Sequence, residues 1–286
     1  MRRAAGHRGF VLVLVLVLLA IAGVLLAKAA RRSAQSVLVA GQQVQELSQR
    51  WGRLSAQRFA LARAESLLAH PADPAIPWRM ELPLELNGQS LRLIVGDEQA
   101  KANANTLWRS GGAPAVQKAL RDLQAGAAAF LPAQLQPASS SDLASPLFAS
   151  FDQLWHTPSP SQLVGQPGQV GLADRLTLWG DGKINIRRAP AEVLRAALAE
   201  ALTEEQVVKL VTLRHDTPDL TVDKLVKALA MTQDQARKVR PVLTDRSRCH
   251  SVWILPARAE VAGGSLRVRQ AAATGRSAGT ESVLLW

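Results

Sequence analysis

The sequence has few aromatic and sulfur-containing side chains for its length. Its 286 residues include no tyrosine, five phenylalanines and one cysteine. Because Cys249 is alone, the chain cannot form an internal disulfide. The shortage of aromatic rings also argues against a surface on which nucleic acid bases would stack.

A catalytic or metal-binding pattern is also missing from the sequence. The histidines are scattered along the chain at His7, His70, His156, His215 and His250. Cys249 and His250 are adjacent but lack the spacing of a zinc site or an activated thiol. No nucleophile, base and orienting group can be recognised together. We therefore predict that the chain is not an enzyme.

Acidic residues are outnumbered by basic ones. The chain has 34 lysines and arginines against 23 aspartates and glutamates, which gives a net charge of +11. A positive surface of this kind suits nucleic acid or an anionic membrane face. The basic residues are dispersed, however, and several flank an apolar segment near the N-terminus, where they act as topology signals.

Charge is absent from Phe10 to Ala27, and this segment predicts a membrane span. It continues to residue 30, interrupted only by Lys28, and about 20 apolar residues are needed to cross the hydrocarbon core. The preceding Met1–Gly9 contains three arginines and no acid, so the N-terminus should be cytoplasmic. We expect a single-pass inner-membrane protein with its C-terminal domain in the periplasm. A plain signal anchor and a secretory signal cleaved near Ala29 are the alternatives, although the apolar run exceeds an ordinary signal core.

No proline occurs between Phe10 and Ser66, so the helix is predicted to continue well beyond the membrane. Apolar residues recur there at alternating spacings of three and four, a heptad-type stripe that predicts packing against other helices. This stripe comprises Val37, Ala40, Val44, Leu47, Trp51, Leu54, Leu61 and Leu68, with Arg58 and Glu65 at the two positions skipped. Two prolines in the segment His70–Pro74 end the predicted stalk helix.

Two β-hairpins are predicted, one on each side of a helical region. Residues 80–86 and 91–95 alternate apolar and polar side chains around Asn87-Gly88, and Pro83 predicts an edge strand. Residues 252–261 and 266–272 flank Gly263-Gly264, and residues 283–286 supply one more strand. The helices predicted between them are 115–129, 190–201, 203–214, 221–229 and 232–242. Three of these have N-cap signals, at Thr203, Thr221 and Thr232. Lys101–Ala104 and Lys183–Ile186 also echo each other, as KANA and KINI.

Several segments together resemble a known family. These are the Gly9-Phe10 junction, DEQAKANANTL from Asp97, GKINIRRAPAEVL from Gly182, and the closing SVWILPARAEVAGGSLRVRQAA and SVLLW. In this order they are similar to the minor pseudopilin K of type II secretion systems. The family motif falls here on Asp97, Glu98, Lys101, Asn103, Asn105, Lys183 and Asn185.

The resemblance implies an α+β, pilin-like fold: a transmembrane and stalk helix packed on a small antiparallel sheet, with an inserted all-α domain like SAM or helix-hairpin-helix domains. The implied division is a leader at 1–9, a span at 10–30, a stalk at 31–70, sheet parts at 76–107 and 246–286, and the helical insertion at 108–245. A prepilin peptidase would cut after Gly9, and Phe10 would then be N-methylated.

The same resemblance implies a function in protein secretion. The subunit would lie at the tip of the pseudopilus, where it takes part in initiation or capping. Its partners would be I-, J- and H-type minor pseudopilins and the inner-membrane platform. Leu14 stands where major pseudopilins carry a glutamate that pairs with a neighbouring subunit's amine, which suits a subunit with nothing above it.

Some members of the family bind calcium in the helical insertion. Hard cations need several oxygen ligands, and Asp122 is the sole acid between Pro114 and Ser141, so we expect no cofactor. A type IV pilus minor pilin is one alternative function. Another is a membrane-anchored helix-hairpin-helix protein that binds DNA, because Ile184–Arg214 resembles such domains. Its connection, Ala199–Glu205, contains acids that would repel a phosphate. It also lacks the glycine that would let backbone N–H groups approach one closely, so nucleic acid is not the expected partner.

Overall fold

The computed structural model describes residues 8–70, 75–123, 147–155, 163–166, 169–198, 201–257, 264–270 and 280–285. It confirms the predicted α+β class, with a long N-terminal helix, an antiparallel sheet and several shorter helices. The chain divides into two compact units, with the boundary after Leu54.

Helix α1 extends from Arg8 to Ala62. The first unit consists of its residues up to Leu54, and the remaining residues of α1 belong to the second unit. Within the described residues, α1 is the one helix whose length and composition would allow it to cross a membrane. The apolar stripe beyond the span is exposed at Val37, Val44, Leu47 and Trp51. Exposed apolar side chains at regular helical spacing need a covering surface.

The second unit begins with the last two turns of α1 and the short helix α2, Ala64–Ala69. The predicted continuous helix to residue 70 is wrong at one point, because Arg63 leaves helical geometry with φ −109° and ψ 6°. Ala64 and Leu68 beyond the break are buried in one apolar core with Leu91 and Leu93 of the sheet. Burial of this kind contributes more to helix stability than local propensity, which accounts for the tolerated break.

Gln57 fixes the end of α1 on the sheet through polar contacts. This side chain is fully buried, and its Nε2 donates to the carbonyl oxygen of Ser265 at 3.1 Å, to Ser265 Oγ at 3.0 Å and to the carbonyl of Val252 at 3.3 Å. Polar and apolar contacts therefore both orient the helix on the sheet.

The sheet has five antiparallel strands in the order β1-β2-β7-β8-β9. Its strands are β1 (Arg79–Leu86), β2 (Gln89–Asp97), β7 (Cys249–Pro256), β8 (Ser265–Gln270) and β9 (Thr280–Leu285). Both hairpins and the last strand are confirmed, and β1 with Pro83 is an edge strand as predicted. Asn87 and Gly88 both have positive φ, 49° and 75°, as a tight hairpin turn requires. Of these predictions, residues 258–263, 271–272 and Trp286 lie outside the described residues.

The longer helices between β2 and β7 in the described part of the chain form the helical block. They are α3 (Ala104–Leu123), α4 (Ala191–Leu198), α5 (Glu204–Asp216), α6 (Val222–Ala228) and α7 (Gln233–Val239). The side chains of Thr203, Thr221 and Thr232 accept backbone N–H groups at the starts of α5, α6 and α7, which confirms the predicted caps. Helix α3 starts at Ala104, earlier than the predicted Ala115, with a kink at Gly112. Residues 124–129 of that prediction lie outside the described residues.

Candidate functional site

The structure brings two stretches of the predicted family motif together at Asp97. This carboxylate is fully buried at the end of β2. It accepts hydrogen bonds from Asn185 Nδ2 at 3.0 Å, from Ser247 Oγ at 2.5 Å and from the backbone N–H of Gln99 at 2.9 Å. Arg188 NH1 lies 3.4 Å from Asp97 Oδ2. A buried carboxylate needs such partners, since an isolated charge in the interior is strongly unfavourable.

Glu98 is the centre of a second buried cluster. Its carboxylate forms an ion pair with Lys101, whose side chain is only 2% exposed, and accepts from Thr177. Ser251 Oγ of β7 donates to the same carboxylate at 2.5 Å. The motif residues Glu98 and Lys101 thus connect β7 to the segment around Thr177.

Asn103 and Asn105 bind backbone rather than acids. Asn103 Oδ1 accepts the N–H of Thr106 at 3.0 Å and so caps α3, while its Nδ2 donates to the carbonyl of Trp179 at 2.8 Å. Asn105 exchanges hydrogen bonds with the backbone of Phe148, at 2.7 and 3.1 Å, and donates to the carbonyl of Leu178.

Lys183 is not brought into this network, because its side chain is exposed. Its backbone N–H donates to Asp181 Oδ1 at 3.0 Å, and Asp181 also accepts from Gln99 Nε2 at 2.6 Å. The lysines of the two echoing segments therefore differ in their roles: Lys101 is buried and paired, and Lys183 faces solvent.

The asparagines of the two echoing segments have matching structural settings. Asn103 ends the two-residue strand β3 (Ala102–Asn103), which pairs in parallel with β4 (Leu176–Thr177). Asn185 ends β5 (Ile184–Asn185), which pairs in parallel with β6 (Leu243–Thr244). Both partner strands have the sequence Leu-Thr, and each threonine Oγ accepts the N–H of the residue two positions later, at 3.1 and 3.3 Å. The repeat therefore includes the two Leu-Thr strands, which the sequence analysis did not link to the echoing segments. The recurrence of Leu-Thr in the sequence is the signal that could have identified them as the partner strands.

A polar cavity of about 300 Å³ lies beside Asp97. It is lined by Glu65, Asn185, Arg187, Arg188, Asp245, Arg246 and Ser247. Arg188 donates to both oxygens of Glu65, at 2.9 and 3.0 Å, and His250 Nε2 lies 3.1 Å from Glu65 Oε2. The hydrogen bond with His250, together with the bonds and charge of Arg188, lowers the pKa of Glu65 to about 2 despite partial burial.

Glu65, Ser247 and His250 were missed by the sequence analysis. Glu65 and Arg188 are 123 residues apart, and Ser247 and Asp97 are 150 residues apart. No local pattern identifies such partners. Of the arginines that line the cavity, Arg188 pairs with the carboxylates of Glu65 and Asp97, and Arg187 donates to the carbonyl of Leu220.

A further ion network joins the edge of the sheet to the segment before β4. Arg79 donates to Asp174 Oδ2 at 2.7 Å and to Glu81 Oε2 at 2.9 Å, and Glu81 also accepts from Arg92 Nε at 2.6 Å. Burial raises the pKa of Asp174, although the charge of Arg79 acts in the opposite direction. The sequence analysis did not predict this ion network. It identified β1 only from its alternating pattern and Pro83, which say nothing about the charge partners of Arg79.

The hydrogen bonds and ion pairs of these clusters join segments that are distant in the sequence. Among the described residues, no group of three or more His, Cys, Asp or Glu side chains is placed to hold a metal ion. Burial raises the pKa of Cys249 well above its usual range, so the thiol stays protonated. The clusters connect β2 and β7 to the segments carrying α3 and α4, and so fix the helical block to the sheet.

The remaining predicted residues lie at the start of α1. Gly9 and Phe10 are in its first turn, and residues 1–7 of the leader lie outside the described residues. Phe10 and Leu14 are exposed on the helix surface, 72% and 49%. Both side chains therefore lie on the surface of the helix.

The comparison with solved structures found a likeness at low sequence identity. No protein-family model matches the chain, and no curated protein matches it. A chain of the crystal structure of the GspK-GspI-GspJ complex from the type 2 secretion system of enterotoxigenic Escherichia coli has a TM-score of 0.44 and 14% sequence identity to it. The match covers 85% of this chain and 96% of that chain.

Proposed function

We propose that this chain is a minor pseudopilin of the K type, which lies at the tip of a type II secretion pseudopilus and acts in its initiation or capping. The observation that carries this proposal is the combination found in α1. The Gly9-Phe10 junction opens a helix whose first turns are uncharged and apolar, and whose last turns pack on an antiparallel sheet. This arrangement favours an assembly protein over an enzyme.

In the proposed sequence of events, the leader is removed after Gly9 and Phe10 is N-methylated. The apolar part of α1 then holds the subunit in the inner membrane, and the sheet and helical block lie in the periplasm. The exposed stripe of Val37, Val44, Leu47 and Trp51 supplies the surface for the helices of I-, J- and H-type partners.

Leu14 supports a terminal position in the filament. A carboxylate in lipid is costly unless it is paired, so a glutamate at this position would select for a neighbouring amine. Leucine has neither the cost nor the pairing. The block of helices α3–α7 is fixed to the sheet by the Asp97 and Glu98 clusters, and a block held in this way would obstruct the addition of another subunit above it.

Intact-mass measurement of the membrane-extracted protein tests the proposal. We expect a chain that begins at Phe10 and carries one added methyl group. A Gly9→Arg variant, in which a bulky side chain replaces hydrogen at the cleaved bond, should keep its leader and serves as the unprocessed control. A wild-type chain that retains Arg2, Arg3 and Arg8 would contradict the proposal.

DNA binding through a helical hairpin is not favoured by the geometry. Helix α5 carries Glu204 and Glu205 in its first turn, at the end of a helix where a phosphate would bind. Glu204 accepts both of its hydrogen bonds from Arg195 of α4, which neutralises the nearest cation of the hairpin. Two carboxylates at this end would repel a nucleic acid backbone.

A further inference from the structure

A cluster of positive charge follows directly after the apolar part of α1. Lys28, Arg31 and Arg32 are exposed and occupy positions i, i+3 and i+4, which lie on one face of a helix. They are the only charged side chains between Phe10 and Gln45, and the first acid of the whole sequence is Glu46. Acidic residues of the same helix are therefore too far along the sequence to neutralise this cluster.

The length of the apolar segment places this basic cluster at a membrane surface, provided that α1 spans the membrane as in the proposed function. Phe10 to Ala27 extends for about 27 Å at 1.5 Å per residue, close to the roughly 30 Å of a hydrocarbon core. Lys28 then lies at the outer boundary of the core. Arg31 and Arg32 lie roughly 5–6 Å further out, at the depth of the lipid headgroups.

The basic cluster also points away from the apolar stripe. At about 100° per residue, its centre lies roughly 150° around the helix from the stripe formed by Val37, Val44, Leu47 and Trp51. If the stripe packs against partner helices, the cluster faces outward to lipid. This geometry favours a lipid headgroup over a neighbouring subunit as the group that neutralises the charge.

We propose that Lys28, Arg31 and Arg32 bind the phosphate groups of anionic phospholipids in the outer leaflet of the inner membrane. A guanidinium matches a phosphate in two-pronged geometry, and basic residues beside a membrane attract anionic headgroups. Removal of the leader takes away Arg2, Arg3 and Arg8 on the opposite side. In the mature chain the basic cluster therefore sets the depth of α1 in the bilayer.

The test measures which lipids stay with the full-length chain. The protein is placed in nanodiscs made of equal amounts of phosphatidylglycerol and phosphatidylcholine. Native mass spectrometry then counts the molecules of each lipid that remain bound after the protein is released from the nanodisc. We expect the wild type to retain phosphatidylglycerol preferentially. An Arg31→Gln/Arg32→Gln variant should lose about 25-fold of that preference, at roughly fivefold for each basic residue. An Arg50→Gln/Arg58→Gln variant makes the same change in charge roughly 34 Å further along the helix, between the midpoints of the two pairs, and should keep the preference.

Several results would overturn this proposal. Equal retention of both lipids by the wild type would do so, and so would an equal loss in the two variants. Retention that depends on a copurified pseudopilin would assign the cluster to a protein partner. A chain that starts at Phe10 without lipid preference overturns only the lipid site. A chain that keeps its leader and its lipid preference contradicts only the proposed function.

Discussion

Arg188 donates to both carboxylate oxygens of Glu65, and this ion pair joins α2 to the segment that leads into α4. The same guanidinium reaches the buried Asp97 at the end of β2. One side chain therefore links the helix that follows α1, the helical block and the sheet.

Glu65 should make stability depend on pH in the acid range. Its folded-state pKa is about 2, below its ordinary value of 4.5, so the folded state favours the carboxylate. The stabilisation is fully present above about pH 4.5 and is lost as the pH falls from there through about 2. Glu65→Gln should remove this acid-dependent part, about 1 kcal/mol because solvent screens the partly exposed pair.

Urea unfolding of the detergent-solubilised chain, followed by tryptophan fluorescence at neutral and acid pH, checks this expectation. Glu204→Gln removes another carboxylate from an arginine pair, but both side chains of that pair are about half exposed. This control should behave like the wild type. An unchanged pH dependence in Glu65→Gln would show that the ion pair does not stabilise the fold.

Asn185 should tolerate no negative charge. Its Nδ2 donates to Asp97, and both residues are buried. Asn185→Asp places two carboxylates in contact, so we expect a loss of about 3 kcal/mol or more of unfolding free energy at neutral pH. Part of the loss should be recovered as the pH falls and one carboxylate becomes protonated.

The control for Asn185→Asp is Lys183→Gln, two residues away in the same motif. The exposed side chain of Lys183 predicts a change within about 0.5 kcal/mol. Denaturant unfolding of both variants decides the matter. If Lys183→Gln proved as harmful as Asn185→Asp, the structural difference between these two motif positions would be wrong.

Substitution of Leu14 should change assembly of the pseudopilus and leave the folding of the second unit unchanged. Leu14→Glu adds a carboxylate that is costly in lipid unless a neighbouring amine pairs with it. We expect the variant to enter filament interiors or to block initiation, and secretion to fall several-fold. Leu14→Val keeps the position apolar and should secrete normally. Normal secretion by Leu14→Glu would show that the missing carboxylate is irrelevant to the proposed role at the tip.

Local signals were sufficient for most of the secondary structure. Asn87-Gly88 between alternating strands, and the cap threonines Thr203, Thr221 and Thr232, gave elements within a few residues of those observed. The break at Arg63 and the early start of α3 were not foreseen. Burial of Ala64 and Leu68 on the sheet accounts for the first, and the cap made by Asn103 marks the second.

The candidate site could be predicted only in part. The resemblance supplied Asp97, Glu98, Lys101 and Asn185, and the structure places these residues in two buried clusters. Their partners, including Ser247, Ser251 and Glu65, come from distant segments that carry no distinctive pattern. Tertiary packing alone brings them together, which is why no periodicity or spacing in the sequence revealed them.

The pairing of β2 with β7 has a consequence for the nascent chain. Glu98 and Ser251, which bond across this junction, are 153 residues apart. The hairpin of β1 and β2 is synthesised first. The edge of β2 that pairs with β7 keeps its backbone groups unpaired until the ribosome has synthesised the whole helical block. Joining segments so distant in sequence is slow, because a large loop must be closed before the contacts form. The five-stranded sheet of the second unit therefore cannot be completed until residues 249–256 have been synthesised.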